Sequence, residues 1–395
     1  MNRNLWIVAL IAFINSLSVT ILIPIIYLYG REFALTDIQI SLLFSIYSVA
    51  QFFATPVIGK LSDRFGRKPL LIISLAGTVI ANFIAGTATT AVLLFFARFL
   101  DGITGGNMSV AQAVVSDITQ PKDRAQAFGL FTAAMMSGFI LGPVTSLLAQ
   151  QISLGTAFLV SGVVAIVGLI LTFFFLPETL PKEIKTSGKI FDLGLDKLIK
   201  GLVMPGVGIL LIINFLTGTT FTMFTFAFQP YFINVLGQNK ENLTLLFLTF
   251  GVVGVVMQTK GVSLLNRKFD AVSILFIGLF FRSLSFCLMP VWPHIYYFVM
   301  VSILFSIFNS LVQPMISTLI SLNARPEEQG LVMGLNASYL SISNGIGPII
   351  AGLMVNRAQP FTYAYPLYLA GILTFLVLFL AMYTRKKYTV GMTTS

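Results

Sequence analysis

The sequence has few of the residues that build disulfides, metal centres and soluble surfaces. Its 395 residues include one cysteine, Cys287, and one histidine, His294. A single cysteine excludes an intramolecular disulfide and a multi-cysteine metal site, and a single histidine excludes a histidine cluster for zinc. Charged residues make up 10% of the chain, whereas about 25% is usual in a soluble domain. The chain is therefore unlike an ordinary soluble protein.

Apolar residues dominate instead. They form 56% of the chain, and the mean hydropathy is +0.92. The formal net charge is +10, but the basic residues fall in short segments between apolar runs. This pattern indicates membrane topology rather than a phosphate-binding face, so we expect no nucleic-acid partner.

Twelve apolar runs are long enough to cross a bilayer, which predicts an all-α membrane protein with twelve transmembrane helices. The runs are 5–29, 38–59, 70–88, 91–116, 125–149, 154–177, 206–234, 242–262, 271–290, 294–320, 330–355 and 363–383. No small-residue cleavage site follows the first run, so we interpret it as a retained helix rather than a signal peptide.

The distribution of Lys and Arg predicts the orientation. The segments between spans alternate between the two sides of the membrane, and 19 of the 24 basic residues lie in segments on one side. Three lie on the other side, namely Arg31, Lys240 and Arg357, and two lie within spans, Arg98 and Arg282. Because cytoplasmic loops carry the excess of basic residues, both termini are predicted to be cytoplasmic. We expect a multi-pass protein of the plasma (inner) membrane, surrounded by lipids and monomeric.

A polar segment divides the spans into two sets of six. Residues 178–205 are predicted to be a cytoplasmic linker between a bundle at 1–177 and a second bundle, with a short tail, at 206–395. Shifting the first half by about 205 positions places Gly142 on Gly347 and Pro143 on Pro348. Such a parallel repeat is typical of transporters that rock one half against the other around a central site.

The most charged loop lies between the second and third spans. It reads Gly59-Lys60-Leu61-Ser62-Asp63-Arg64-Phe65-Gly66-Arg67-Lys68-Pro69. It resembles the loop signature of the major facilitator superfamily, which implies two six-helix bundles and a cytoplasmic latch for the outward-open state. The resemblance assigns the latch to Gly59, Asp63, Arg64, Gly66, Arg67 and Lys68. From their chemistry, Gly59 permits close helix approach and Asp63 can sit against a helix N-terminus, while the basic residues bridge halves or lipid headgroups.

Two ionisable residues lie within the fourth span. Arg98 and Asp101 are three residues apart and share a helical face. An intramembrane charge marks a substrate or proton site by default, and the alternative is a structural ion pair. The surrounding residues resemble the fourth-helix signature of the superfamily, which implies that Asp101 carries protons and Arg98 modulates it. Asp117, at the end of this span, is interpreted as a structural charge.

A motif in the fifth span resembles the antiporter signature of the superfamily. It contains Gly138, Gly142 and Pro143, and Gly347 and Pro348 carry a fuller version in the second half. Small residues and a proline favour close helix contact and a compliant hinge. In the first span, Asn15 stands where the similar tetracycline antiporters carry an acidic residue. Because Asn cannot carry a proton, recognition of a tetracycline–metal complex of that type is not expected.

Polar residues concentrate on spans that line the central cavity in the superfamily. Met108 and Gln112 follow Asp101 at helical spacing. The candidates for the substrate cavity are Asn15, Met108, Gln112, Asn214, Thr217, Asn309, Gln313, Asn336 and Tyr339. The alternative is that these residues only bond neighbouring helices. Arg282 in the ninth span is expected to snorkel or to have a structural partner, and the alternative is a contact with a lipid or an anionic substrate.

The resemblance to twelve-span drug:proton antiporters extends over essentially the whole chain. It implies secondary active transport, with proton-coupled efflux of lipophilic or amphiphilic small molecules and no cofactor beyond the proton gradient. The alternatives are a uniporter or importer of a polar metabolite such as a sugar, a lipid flippase, and a receptor with the same fold. An intramembrane enzyme is not expected, because an aspartyl type needs two membrane carboxylates and a zinc type needs several histidines.

Overall fold

A computed structural model of the protein describes residues 3–120, 123–180, 195–325 and 328–389. Within these residues the chain is helical apart from turns and one isolated bridge between Asn356 and Gln359. The helices are α1 (Arg3–Leu22), α2 (Ile26–Glu32), α3 (Asp37–Phe65), α4 (Arg67–Gly86), α5 (Ala91–Thr104), α6 (Asn107–Asp117), α7 (Arg124–Ala149), α8 (Leu154–Phe175), α9 (Leu195–Leu202), α10 (Val207–Pro230), α11 (Lys240–Val256), α12 (Val262–Asn266), α13 (Ala271–Leu288), α14 (Ile295–Asn323), α15 (Gln329–Met354), α16 (Tyr365–Tyr383) and α17 (Arg385–Thr389). The predicted all-α class is confirmed.

Short π-helical segments extend two of the spans. Tyr231–Val235 follows α10, and Met257–Gly261 joins α11 to α12. A 3₁₀ turn, Pro360–Ala364, leads into α16. Hydroxyl side chains cap helix starts after polar loops: Thr90 accepts a hydrogen bond from the backbone of α5, and Ser153 does so for α8. Such caps satisfy amides that the first helical turn leaves without a partner.

Ten of the described helical segments are long and apolar enough to cross a membrane. The two remaining predicted spans are also helical, and each has a visible reason for falling short. The span at 330–355 forms α15, whose hydropathy is lowered by polar residues such as Asn336 and Asn344. The span at 91–116 is divided between two shorter helices. The twelve predicted spans thus correspond to helical segments of the structure.

The fourth span is broken in its middle, which the sequence pattern did not predict. α5 ends at Thr104 and α6 begins at Asn107, with Gly105 and Gly106 between them. Adjacent glycines weaken a helix because they lose the most conformational freedom on ordering. The side-chain amide of Gln51 donates to the carbonyl oxygen of Gly105 at 2.9 Å. The break therefore has a polar partner inside the protein, as non-helical backbone at membrane depth requires.

The chain divides into two compact units. The first comprises Met1–Leu35, Ile46–Leu193 and Lys240–Leu248, and the second comprises Thr36–Ser45, Gly194–Asn239 and Thr249–Ser395. The predicted bundles were continuous stretches of the chain. The units differ from them because residues 36–45 group with the second unit and residues 240–248 with the first. Of the predicted linker, 181–194 lies outside the described residues, and α9 accounts for Leu195–Leu202.

Each unit repeats the same packing scheme. In the first unit, α1 packs against α7 and α8, while α4 packs against α5 and α8. In the second unit, α10 packs against α15 and α16, while α13 packs against α14 and α16. These partners correspond when the chain is shifted by six spans. A separate apolar core, containing Val8 and Phe131 in the first unit and Leu210 and Ile316 in the second, supports each set of contacts.

Candidate functional site

Arg98 and Asp101 form a buried ion pair within the first unit. Arg98 Nη1 lies 3.3 Å from Asp101 Oδ2, and Asp101 is 8% exposed. The guanidinium carbon of Arg98 lies 4.4 Å from the ring centroid of Tyr47, close enough for a cation–π contact. Among the described residues, Arg98 Nε has no hydrogen-bond partner although it is buried. The pair is thus enclosed by protein, but one N–H group of Arg98 lacks a hydrogen-bond acceptor.

Small residues hold this ion pair close to two neighbouring helices. A Cβ atom added to Gly102 would lie 2.5 Å from the carbonyl oxygen of Tyr47, so α5 touches the backbone of α3 there. A Cβ added to Gly77 on α4 would collide with Thr104. Asp101 therefore lies in the interior of the first unit, and its carboxylate and the guanidinium of Arg98 are both largely enclosed by protein.

A second group of predicted residues meets between α1 and α6. Asn107 Nδ2 donates to Asn15 Oδ1 at 2.6 Å, beside a narrow space that has no room for a water molecule. Asn15 and Met108 line this space, whereas Gln112 is exposed. Met108 and Gln112 are four residues apart on α6 and share a helical face, so the place of Gln112 in the substrate cavity stays a prediction. Sequence reasoning missed Asn107, since it counted through the span as one helix.

The charged loop centres on Arg67. Its guanidinium pairs with Asp63 and, through Nε at 3.1 Å, with Asp117 Oδ2. Arg67 Nη1 also donates to Ser62 Oγ at 2.7 Å. Asp117, predicted as a structural charge, thus joins the fourth span to this loop. The network lies within the first unit.

The carboxylate at the start of α4 is Glu178, not Asp63. Glu178 Oε1 accepts from the backbone N–H of Arg67 at 2.9 Å, and Glu178 Oε2 accepts from that of Lys68 at 3.2 Å. These are the first amides of the helix, where negative charge is favoured by the helix dipole. Glu178 follows α8 and lies 111 positions from Arg67 in the chain, so no local spacing could have revealed the contact.

Gly66 is required for this arrangement. Its φ is +113°, a backbone conformation that side chains rarely adopt, and an added Cβ would collide with the Glu178 carboxylate. By contrast, a Cβ added to Gly59 would meet no described atom within 4 Å, so the close helix approach expected at Gly59 stays a prediction. Arg64 lies over the ring of Phe65 and Lys68 over that of Phe173.

We expect Glu178→Gln to lower the free energy of unfolding by about 0.5–1 kcal/mol, because the loop loses a charge at a helix N-terminus and one acceptor. Glu178 is partly solvated, which limits the effect. Thermal unfolding of the purified protein in detergent measures it. Asp196→Asn is the control, since Asp196 and Lys200 form an exposed pair of the kind that contributes little. Equal midpoints for Glu178→Gln and the control would contradict the role assigned to Glu178.

The antiporter-like motifs are points of close helix packing in both units. A Cβ at Gly142 would collide with Thr20 on α1, and a Cβ at Gly138 would lie 2.7 Å from the backbone nitrogen of Leu17. In the second unit, a Cβ at Gly347 would collide with Thr222 on α10. Both α7 and α15 continue as helices through Pro143 and Pro348. The compliant hinge stays a prediction.

Several cavity candidates of the second half bond one helix to another. Asn214 is fully buried, and its Nδ2 donates to the carbonyl oxygen and to Oδ1 of Asn336 at 3.0 and 2.7 Å. Thr217 is buried and donates within its own helix. Tyr339 donates to the carbonyl oxygen of Leu198 at 2.9 Å. The contacts of Asn214, Asn336 and Tyr339 match the interhelical alternative, whereas the Thr217 hydroxyl bonds within α10.

Asn309 and Gln313 are half-buried on α14. Neither side chain has a hydrogen bond to another described residue, so each retains free polar groups. They are the second-half candidates whose hydrogen-bonding capacity stays available to a ligand.

Arg282 has structural partners deep inside the second unit. It is 3% exposed and donates from Nη2 to the carbonyl oxygen of Thr217 at 2.6 Å and to Thr220 Oγ1 at 2.9 Å. Its guanidinium carbon lies 5.4 Å from the ring centroid of Phe286. The expectation of a structural partner is confirmed, and the side chain does not snorkel. It fastens α13 to α10.

Among the residues that the structure describes, no group of three or more His, Cys, Asp or Glu side chains could hold a metal ion. Asp101 can accept and release a proton, and the pair of asparagines can donate and accept hydrogen bonds.

A family model of the major facilitator superfamily matches residues 8–258 and 210–391. The chain belongs to this superfamily. The broken fourth span, the charged loop and the repeated packing are thus features of a major facilitator transporter, and the expectation that the protein is not an enzyme is confirmed.

Named relatives in this superfamily are resistance proteins. The chain is 26% identical to multidrug resistance protein 1 of Bacillus subtilis over 89% of its length and 90% of the relative. It is 24% identical to the quinolone resistance protein NorA of Staphylococcus aureus, covering 95% of this chain and 97% of NorA. It is 25% identical to the class B tetracycline resistance protein of Escherichia coli, covering 91% and 90%.

Solved structures share the fold at lower identity. A bacterial homologue of the human lysosomal transporter Spinster superposes with a TM-score of 0.81 at 14% identity, over 98% of this chain and 97% of that one. A human organic anion transporter superposes with a TM-score of 0.72 at 20% identity, over 96% and 100%. These similarities support the twelve-helix major facilitator fold.

Proposed function

We propose that this transporter exports lipophilic or amphiphilic small molecules in exchange for protons, with Asp101 as the proton carrier and Arg98 as its modulator. The observation that carries the proposal is the enclosed Arg98–Asp101 pair, 3.3 Å between Nη1 and Oδ2. An ion pair inside a membrane is retained at a cost, and its separation during a conformational change would favour proton uptake by the carboxylate.

The substrate class is supported by the relatives, whose names refer to multidrug, quinolone and tetracycline resistance. Alternating access between two similar units provides the transport mechanism. In this proposal the protein acts as a monomer in the lipid of the plasma (inner) membrane, with both termini in the cytoplasm. The proton gradient is the energy source, and no other cofactor takes part.

The alternatives have less support from contacts within the protein. The flippase hypothesis rested on Arg282, whose hydrogen bonds go to Thr217 and Thr220. The polar-metabolite hypothesis rested on residues such as Asn214 and Asn336, which bond to each other. Neither observation now favours these functions over export of amphiphiles.

The test is transport by purified protein in proteoliposomes with an imposed pH gradient or an imposed membrane potential. We expect vesicles with an acidic interior to accumulate a lipophilic drug and to lose protons at the same time. Transport of the drug in the absence of any proton flux would contradict proton coupling. Transport of sugars or lipids but of no drug would contradict the substrate class.

A further inference from the structure

The Arg98–Asp101 pair is connected through α3 to the break in the fourth span. The guanidinium carbon of Arg98 lies 4.4 Å from the ring centroid of Tyr47. Gln51, one helical turn further along α3, donates from Nε2 to the Tyr47 hydroxyl oxygen at 3.2 Å and to the carbonyl oxygen of Gly105 at 2.9 Å. A continuous series of contacts thus runs from the charged pair to the point where α5 ends and α6 begins.

The side-chain amide of Gln51 has a defined orientation. The carbonyl oxygen of Gly105 only accepts hydrogen bonds, so the NH₂ end of the amide must face it. That NH₂ group has two hydrogens, and it can therefore bond to the carbonyl oxygen and to the Tyr47 hydroxyl at the same time. A displacement of the hydroxyl consequently removes one of the two bonds that hold the amide in place.

The backbone of α3 is in close contact with the fourth span on both sides of Gln51. A Cβ added to Gly102 would lie 2.5 Å from the carbonyl oxygen of Tyr47. A Cβ added to Gly106 would lie 2.7 Å from atoms of the Ile58 side chain. Because the helices already touch at these two points, the part of Tyr47 that can respond to the charged pair is its side chain.

Loss of the charge on Asp101 changes the forces on Arg98. The ionised carboxylate attracts the guanidinium across 3.3 Å, and the hydroxyl of Thr78 on α4 is a further hydrogen-bond partner of the carboxylate. A neutral carboxyl group supplies no counter-charge, and Arg98 Nε has no acceptor among the described residues. The guanidinium is then held mainly by the face of the Tyr47 ring.

We propose that Tyr47 and Gln51 are positioning residues that transmit the charge state of Asp101 to the break between α5 and α6. While Asp101 is ionised, Arg98 stays beside it and the Gln51 amide bridges the hydroxyl and the Gly105 carbonyl. When Asp101 takes up a proton, Arg98 shifts, the rigid ring carries its hydroxyl away, and the bridge opens. The adjacent glycines of the break then let α6 change its orientation. The inference rests on the proposed function only in taking Asp101 to be the group that changes charge during transport.

Tyr47→Phe cuts this connection and leaves both of its ends in place. Phenylalanine keeps the ring face for Arg98, and Gln51 still reaches the carbonyl oxygen of Gly105. Only the hydroxyl that joins them is lost. If Gln51 merely satisfied a carbonyl group at the break, this change would not alter how the break responds to the charged pair.

Hydrogen exchange of the purified protein in detergent, at constant pH and without a drug, measures that response. The reporters are backbone amides that bond across the break, those of Gly105, Gly106 and Val110. Asp101→Asn imitates the protonated carboxyl group, and we expect it to speed exchange of the reporters by about fivefold to tenfold, comparable to the loss of one hydrogen bond. In Tyr47→Phe the same change should add less than about twofold, because the connection is already cut.

Arg98→Gln gives the exchange test a second perturbation of the pair. It leaves no buried cation without a counter-charge, so the test does not depend on the folding of Asp101→Asn. Arg98→Gln should also speed exchange of the reporters, and it should add little when combined with Tyr47→Phe.

Transport by the same variants separates positioning from folding. In proteoliposomes with an acidic interior, Tyr47→Phe should lower the maximal rate of ethidium uptake by about tenfold and leave KM unchanged. Tyr29→Phe is the matched control, because it removes another hydroxyl from the first unit, one that donates to the carbonyl oxygen of Ala85 at 2.7 Å. It should leave ethidium uptake unchanged, and any effect on exchange should add to that of Asp101→Asn.

An additive effect of Tyr47→Phe and Asp101→Asn on exchange, no effect of Asp101→Asn, or ethidium uptake at the wild-type rate by Tyr47→Phe would overturn the connection. The exchange measurement uses neither a drug nor a proton gradient. Non-additive exchange in a protein that moves no drug would therefore support the connection while refuting the proposed function. Wild-type exchange of drug for protons, together with additive effects in the variants, would do the reverse.

Discussion

Asp101→Asn is expected to reduce pH-gradient-driven transport to the background of protein-free vesicles. Asn retains the size of the side chain and can still hydrogen-bond to Arg98, but it cannot take up or release a proton. If Asp101 carries the proton, the imposed gradient then has no group through which to drive the substrate. Drug uptake into proteoliposomes with an acidic interior measures the effect.

Two further variants separate loss of coupling from loss of folding. Asp101→Glu keeps a titratable carboxyl group and should restore part of the transport. Asp101→Asn leaves the buried Arg98 without a counter-charge, which is an unfavourable arrangement. The second variant therefore combines Asp101→Asn with Arg98→Gln, so that the site carries no charge. This double variant should unfold near the wild-type temperature and still fail to couple. Gradient-driven transport at the wild-type rate by Asp101→Asn would refute the assignment.

Gly142→Ala is expected to destabilise the protein by about 1–3 kcal/mol, the usual cost of overpacking a close contact. The added Cβ would lie 2.6 Å from Thr20 Cβ and 2.9 Å from its carbonyl carbon. The branched side chain of Thr20 cannot move aside easily, because its hydroxyl donates to the carbonyl oxygens of Ser16 and Gly138. α1 and α7 would have to separate.

The same helix provides the control. A Cβ added to Gly129 would meet no atom of the described part of the chain within 4 Å, so Gly129→Ala should be neutral or stabilising by up to about 1 kcal/mol, since Ala favours the helix. The second unit offers a repeat of the experiment, with Gly347→Ala as the test and Gly334→Ala as the control. The midpoints of thermal unfolding compare each pair. Identical midpoints within both pairs would show that the glycines do not mark close packing.

The boundaries of the spans and the charged loop could be predicted from sequence because hydrocarbon excludes charge. Arg98 and Asp101 could also be paired, since residues three apart share a helical face. Asn107 illustrates the limit: a periodic count continued through the break at Gly105 and Gly106 passed over this residue, which bonds to Asn15 on α1.

Contacts between helices that are far apart in the chain could not be predicted from the sequence, for a different reason. Glu178 caps α4 from the end of α8, and Arg282 reaches α10 from α13. Whether Asn214 lines a cavity or bonds to Asn336 depends on which helix lies opposite. The packing of whole helices decides which partner a polar side chain meets. The local sequence around the residue is the same whether it lines a cavity or bonds to a neighbouring helix.

By itself, the sequence determined a membrane chain of helical spans, its internal repeat and its family resemblance, because hydrophobic length, charge and motif spacing are local properties. Tertiary structure alone decided which polar groups remain available. It bonded Asn107 to Asn15 in the first unit and Asn214 to Asn336 in the second, whereas Asn309 and Gln313 on α14 make no hydrogen bond to another described residue. The physical reason is that hydrogen-bond partners come from helices far apart in the chain, and only their packing brings them within reach.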